Sequence, residues 1–295
     1  MVWIFFTLLA AFMQAWRNAF QSQLSIDVKV AGVTLARFIW ASPIAALYLA
    51  ALYWLQPVES ALTLDAFSPS FWSYVIGASL MQILATGLMV QLFKMRDFAI
   101  GAGLAKSEAI VAAILGVLFF GTHLSPLGWL GVIIGAVAVF MMSTSQGIKN
   151  LSPATLLIGL CCGSAFALTS LWVREASLCL TLPFPHRAAW VLLWVIGIQT
   201  FLLTLYLLIR DSSTLRTLWH RPRLTLLISF TSCIGSIGWF SAMSLQAVPY
   251  VKTLGQIEIF FTILISVLFL KQGVKVKDML ALVLIALAAV LVMWS

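Results

Sequence analysis

Two glutamates in apolar surroundings are the residues of this chain best suited to chemistry. Glu108 and Glu258 lie 150 positions apart, each near the middle of an apolar stretch long enough to cross a membrane. Charge inside a bilayer is costly to bury, and such residues mark solute or proton pathways. We expect the two carboxylates to couple protons or to bind a substrate amine. An ion pair that only holds helices together is the alternative.

The two glutamates belong to an internal repeat. The same offset of 150 relates further identical residues: Arg37 to Arg187, Trp40 to Trp190, and the tripeptide 117–119 to 267–269. The sequence therefore predicts two similar units, a first five-helix repeat in residues 1–147 and a second in residues 151–295.

Composition places the chain in a membrane. It is 62% hydrophobic and 9% charged, with a mean hydropathy of +1.08, whereas a soluble domain has about 25% charged residues. The net charge of +8 does not indicate nucleic acid as a partner, because Lys and Arg lie mostly in short loops and form no basic run. Membrane lipids are the expected surroundings.

Apolar stretches of about 20 residues predict transmembrane helices. We predict ten, at residues 2–24, 31–55, 70–93, 98–120, 125–144, 153–173, 185–209, 224–246, 249–270 and 275–294. Pro43 falls inside the second and predicts a kink there. Five spans per repeat is an odd number, so the second repeat crosses the membrane in the opposite sense. The predicted fold is an all-α integral membrane protein of two inverted repeats around a central cavity.

Loop charges agree with this inversion. Loops after odd-numbered spans hold eleven cations: Lys29, Lys94, Arg96, Lys149, Arg210, Arg216, Arg221, Arg223, Lys271, Lys275 and Lys277. Loops after even-numbered spans hold three, namely Arg174, Arg187 and Lys252. Because loops rich in Lys and Arg stay in the cytoplasm, this bias predicts that both termini lie outside.

Polar residues share one face of the first span. Gln14, Arg17, Asn18 and Gln21 follow the spacing i, i+3, i+4, i+7 of a single helix face. Lipid cannot satisfy these groups, so this face turns toward protein or water. We expect it to line a solvated central cavity; a polar seam between helices is the alternative.

Further candidate residues lie in the second, fourth and ninth spans. Lys106 and Glu108 are two residues apart and point to different faces of a regular helix, so we expect Glu108 to meet Arg17, Arg37 or water. Arg37 either clamps a substrate carboxylate or phosphate or extends to the membrane surface. The ninth span carries Gln256 beside its glutamate.

Four tryptophans lie deep in predicted spans: Trp16, Trp40, Trp190 and Trp239. They could stack on a flat or cationic substrate, or they could fill space between helices.

Enzymatic chemistry has little support in the sequence. Cysteines and histidines are scattered without metal-ligand spacing, and the aspartates form no acid–base pair. No ATP-binding P-loop motif is present. We expect no enzyme activity, no metal and no cofactor.

In the order and repetition of these features, the chain resembles members of the drug/metabolite transporter superfamily, in its EamA-like branch. The likeness rests on Arg37 in "TLARFIWASP" and on the helix endings "ILGVLFFG" and "ILISVLFL" within residues 104–140 and 254–290. It implies a ten-helix inner-membrane exporter or permease with a central cavity. Family members often have proline where this chain has Glu108 and Glu258, and their termini are typically cytoplasmic, against the charge bias above.

The leading hypothesis is alternating-access transport of a small polar, anionic or zwitterionic metabolite such as an amino acid. Transport would be secondary-active or facilitative, with proton coupling open, in a monomer or a dimer. The site would lie between predicted spans 1, 2, 4, 6, 7 and 9. The alternative is a flippase for a lipid-linked or amphiphilic substrate.

Overall fold

The computed structural model describes residues 1–58, 66–95, 104–144, 152–270 and 276–295. All regular secondary structure in these ranges is helical. The helices are α1 (Val2–Leu24), α2 (Val30–Ala36), α3 (Ala41–Leu55), α4 (Pro69–Phe93), α5 (Glu108–Phe119), α6 (Pro126–Thr144), α7 (Pro153–Cys179), α8 (His186–Arg210), α9 (Ser212–Trp219), α10 (Pro222–Leu245), α11 (Val248–Gly255), α12 (Glu258–Leu270) and α13 (Val276–Met293).

Six helical segments of the described chain are long and apolar enough to cross a membrane. They are Val30–Leu55, Pro69–Phe93, Pro153–Cys179, His186–Arg210, Pro222–Leu245 and Val248–Ile265. The expectation of an α-helical membrane protein is confirmed at this level. The full count of ten spans and the inverted repeat stay predictions.

Several helix starts follow from local sequence. Ser68 and Ser152 each precede a proline, and each side chain accepts a hydrogen bond from a backbone N–H of the first helical turn. Proline suits this position because its missing N–H would have no partner there in any case. The helices that begin at Pro126 and Pro153 start within one residue of the predicted spans 125–144 and 153–173.

Three predicted spans are interrupted. The second divides into α2 and α3 around a turn at residues 37–40, just before Pro43, so the predicted kink is confirmed. The sequence predicted continuous helices over 98–120 and 249–270, but turns lie at 106–107 and 256–257. These two turns are again 150 residues apart, and each is followed by a glutamate that opens a new helix. Free N–H groups and the helix dipole stabilise a carboxylate at that position.

The main helix contacts join the first half of the chain to the second. Helix α1 packs along α10, α4 along α7, α3 along α8, and α6 along α13. Small residues allow the closest of these approaches: a Cβ added to Gly238 of α10 would lie 2.7 Å from the carbonyl oxygen of Phe6 in α1. The halves therefore share one interface, and α1, α5, α7, α10 and α11 meet around its centre.

Candidate functional site

Glu258 lies at the centre of this interface and is almost completely buried, with 2% of its surface exposed. Its carboxylate accepts hydrogen bonds from Gln14 Nε2 at 2.5 Å and Asn18 Nδ2 at 2.8 Å, both on α1. It also forms an ion pair with Lys106. Three donors thus converge on this carboxylate, and the polar face predicted for the first span is directed at it.

Glu108 has a different partner from the one expected. Its Oε1 forms an ion pair with Lys252 Nζ of α11 at 2.5 Å and accepts a hydrogen bond from Ser170 Oγ at 3.3 Å. Glu108 was expected to meet Arg17, Arg37 or a water-filled cavity; it lines a cavity, but its ion-pair partner is Lys252 rather than either arginine. Lys252 also lies over the ring of Trp239, 4.3 Å from its centroid.

The two ion pairs are crossed between the halves of the chain. Lys106 stands two residues before Glu108 but pairs with Glu258, while Lys252 stands six residues before Glu258 but pairs with Glu108. The expectation that neighbouring Lys106 and Glu108 do not neutralise each other is confirmed. Lys252 was not predicted as a site residue, because it was counted with the loop cations although it lies inside the predicted span 249–270. That position was the available signal.

Two arginines lie beside these pairs with neutral partners. Arg37 Nε donates to Ser232 Oγ at 3.1 Å, and its Nη1 donates to Thr86 Oγ1 at 2.6 Å. Arg17 Nη2 donates to Asn18 Oδ1 at 3.0 Å, and its buried Nε has no hydrogen-bond partner. Both arginines are buried, so Arg37 does not extend to the membrane surface.

A cavity lies between these side chains. It is lined by Gln14, Arg17, Arg37, Lys106, Glu108 and Lys252, with Trp239 and Ser170. Its volume is about 30 Å³, which is room for about two water molecules. A smaller space next to it is lined by Gln256 and Glu258. The structure thus brings most of the predicted site residues together.

Gln256 is buried without hydrogen-bond partners for its amide. It is 2% exposed, and neither Nε2 nor Oε1 has a partner in the described residues. Its amide packs against Gly135 of α6, where an added Cβ would collide with it. A buried amide without hydrogen-bond partners is costly.

The four predicted tryptophans differ in whether they line the cavities. Trp239 lines both spaces and donates from Nε1 to Gln14 Oε1 at 2.9 Å. Trp16 stacks on Phe20, and Trp40 is 37% exposed at the turn between α2 and α3. Neither of these two lines the cavities. Trp190 donates to Tyr53 Oη at 3.0 Å.

Ion pairs also join the halves at one end of the helices. Lys29 lies 2.7 Å from Asp211, and Arg221 lies 2.7 Å from Asp27. Lys94 reaches the same place, where it donates to Val28 O at 2.8 Å. These cations follow predicted spans 1, 3 and 7. The compartment that this end of the helices faces stays a prediction. Five of the loop cations lie outside the described residues, namely Arg96, Lys149, Lys271, Lys275 and the side chain of Lys277.

Two arginines counted as loop cations are part of helices instead. Arg174 lies in α7 and donates from Nη1 to Met243 O at 2.7 Å and Gln246 O at 2.6 Å. Arg187 lies in α8 and donates from Nε to Ser244 Oγ at 2.9 Å. Both arginines therefore donate hydrogen bonds to backbone carbonyl oxygens at the C-terminal end of α10, where carbonyls lack helical partners.

No family model and no curated protein matches this sequence. The crystal structure of another protein has a similar fold, with a TM-score of 0.72. The similarity covers 100% of this chain and 96% of that protein's chain. The two sequences are 14% identical. At this identity the likeness shows the fold alone. Among the described residues, no group of three His, Cys, Asp or Glu side chains could hold a metal ion.

Proposed function

We propose that this chain is a membrane carrier for a small polar metabolite, anionic or zwitterionic, and that it works by alternating access. The observation that carries the proposal is the pair of crossed Lys–Glu contacts buried between the halves of an apolar helical protein. Charges at this depth are costly, and a structural role alone would be met more cheaply by apolar packing.

An inverted repeat is part of this proposal. The helix breaks before Glu108 and Glu258 are 150 residues apart, and the contact of α1 with α10 corresponds to that of α4 with α7. Inverted repeats give a carrier two conformations of similar energy, one open to each side. The proposal includes membership in the drug/metabolite transporter superfamily, which the sequence resembles, and the place in the inner membrane that this resemblance implies.

The small volume of the cavity supports a conformational cycle. Room for about two water molecules is too little for a metabolite, so a bound solute must separate the groups around it. The crossed ion pairs are the contacts that hold those groups together. A solute that replaces one of their members offsets the cost of opening, which links binding to movement.

The lining fits a polar solute better than a lipid tail. Four cationic side chains face the cavity, Arg17, Arg37, Lys106 and Lys252, and an acyl chain would desolvate them without offering a partner. A flippase is therefore the less favoured function. It becomes an outcome of the experiment below.

Transport by the purified protein in liposomes tests the proposal. Uptake of labelled amino acids, organic acids and phosphate esters is compared with that of protein-free liposomes. The double variant Glu108→Gln/Lys252→Met removes one buried pair without changing net charge, and we expect it to lose about tenfold or more in rate. Its matched control, Asp27→Asn/Arg221→Gln, removes an exposed pair and should transport normally.

Two results would contradict the proposal. If no solute enters faster than in protein-free liposomes, the chain is not a carrier for these classes. If the Glu108/Lys252 double variant transports like the unchanged protein, the buried pairs are not part of the path. Movement of a fluorescent lipid between leaflets, without solute uptake, would select the flippase.

A further inference from the structure

We infer that the site binds a small anion with two negative charges, either a dicarboxylate or a phosphate monoester. This inference rests on the proposed carrier function and names its substrate class. It follows from the charges and the unused hydrogen-bond donors around the cavity.

The charge count around the cavity is unequal. Arg17, Arg37, Lys106 and Lys252 supply four positive charges, and Glu108 and Glu258 supply two negative ones, which leaves two in excess. The lysines account for both carboxylates. Among the described residues, no carboxylate lies within ion-pair distance of either arginine. Two buried guanidinium groups therefore lack a carboxylate in direct contact, and buried charges are normally paired.

Each carboxylate already has a lysine as its direct ion-pair partner. Glu258 accepts from Gln14, Asn18 and Lys106, and Glu108 accepts from Lys252 and Ser170. A substrate ammonium group would have to displace a lysine from one of them. The acidic residues therefore serve to hold the lysines in place rather than to receive an amine.

The buried charge includes a hydrogen-bond donor without a partner. Arg17 Nε is buried and unpaired among the described residues, and Arg17 is only 4% exposed. A ligand rich in acceptor oxygens would satisfy this donor and neutralise the charge at the same time. The planar guanidinium fork matches carboxylate and phosphate oxygens in this way.

Ligands differ in how much of the excess positive charge around the cavity they neutralise. A zwitterion is neutral and leaves the excess unchanged, and a monoanion neutralises half of it. A dianion neutralises all of it, so we expect it to bind most tightly. A dicarboxylate and a phosphate monoester meet this requirement equally well, since both carry about two charges at neutral pH.

Thermal unfolding of the detergent-purified protein tests the inference independently of transport. The probes are succinate and glycerol phosphate as dianions, butyrate as a monoanion, and alanine as a zwitterion, at equal concentration and ionic strength. A ligand that binds the folded state raises its melting temperature. We expect the largest rise with one or both dianions, less with butyrate and least with alanine, and the better dianion identifies the source.

Substitutions of the two arginines test whether these residues bind the dianion. Arg17→Gln and Arg37→Gln should each weaken dianion binding by about 10- to 100-fold, because each removes charge-assisted hydrogen bonds, and should bring butyrate level with succinate. Arg17→Lys keeps the charge and should retain the preference for dianions. The exposed Arg223→Gln is the matched control and should bind like the unchanged protein.

Two results would overturn the inference. In the first, alanine raises the melting temperature as much as the dianions do. In the second, the dianions raise the melting temperature of both arginine variants as much as that of the unchanged protein. Failure of the inference is distinguishable from that of the carrier proposal. Liposomes that take up alanine but no dianion would keep the carrier and exclude this substrate class. Dianion binding without any uptake would keep the site and exclude the carrier.

Discussion

Removing one partner of a buried ion pair should cost this protein much of its stability. Glu258→Gln leaves the ammonium of Lys106 without a counter-ion in a place where the Lys106 side chain is only 16% exposed. Loss of one partner of a buried pair costs about 3–5 kcal/mol, because the remaining charge stays desolvated. The double variant Lys106→Met/Glu258→Gln has no such charge. We expect it to be more stable than the sum of the two single changes predicts, with a coupling energy of about 2–3 kcal/mol.

The assay is a double-mutant cycle, with reversible unfolding in mixed detergent micelles followed by circular dichroism. The exposed pair of Asp27 and Arg221, with side chains 48% and 54% exposed, is the matched control and should give about 0–1 kcal/mol. A coupling energy below about 0.5 kcal/mol for Lys106 and Glu258 would refute the reasoning, because the two charges would then not depend on each other.

Two further predictions concern packing and pH. Gly163→Ala should destabilise the protein by about 1–3 kcal/mol, since its Cβ would lie 2.5 Å from Ser107 Oγ. In the same unfolding assay Gly197→Ala, with nothing within 4 Å, should be neutral or stabilising by up to about 1 kcal/mol; equal effects would contradict the packing. Hydrogen bonding from Lys29 holds the pKa of Asp211 well below its usual range, so its stabilising effect is present above about pH 4 and is lost as pH falls further. Asp211→Asn should therefore lower the melting temperature by a constant amount from pH 7 to 4 and by less in stronger acid; a difference that does not shrink below pH 4 would contradict this.

Local sequence patterns predicted features that depend on one helix. The spacing of Gln14, Arg17 and Asn18 was enough to place a polar face on α1. Pro43 was enough to predict the break between α2 and α3, because its ring excludes a regular helical hydrogen bond. The two-residue separation of Lys106 and Glu108 was enough to exclude a pair between them.

The partners across the site could not be predicted in this way. The pairing of Lys252 with Glu108 depends on how α11 packs against α5, and no periodicity within one helix contains that information. The breaks at 106–107 and 256–257 have no proline to mark them. Each break is followed by a glutamate in the first turn of the next helix, a position that favours a carboxylate.

Trp16 and Arg174 differ in what the sequence could predict: helix geometry was enough to place Trp16, whereas the helix end near Arg174 could not be fixed. Trp16 is two residues from Gln14 and Asn18, so it points away from their face of α1. Arg174 follows the predicted end of its span by one residue, and helix ends cannot be fixed that closely from sequence. The structure extends α7 to Cys179, which places that arginine inside the helix.

The central claim is that the buried cluster of charged residues is where the transported solute binds. The most direct measurement is a structure of the protein with a transported solute bound, determined by electron cryo-microscopy in lipid nanodiscs. The account predicts density between Arg17 and Arg37, with at least one of the Lys–Glu pairs separated to make room. Density on a lipid-facing surface, with both pairs still closed, would contradict it.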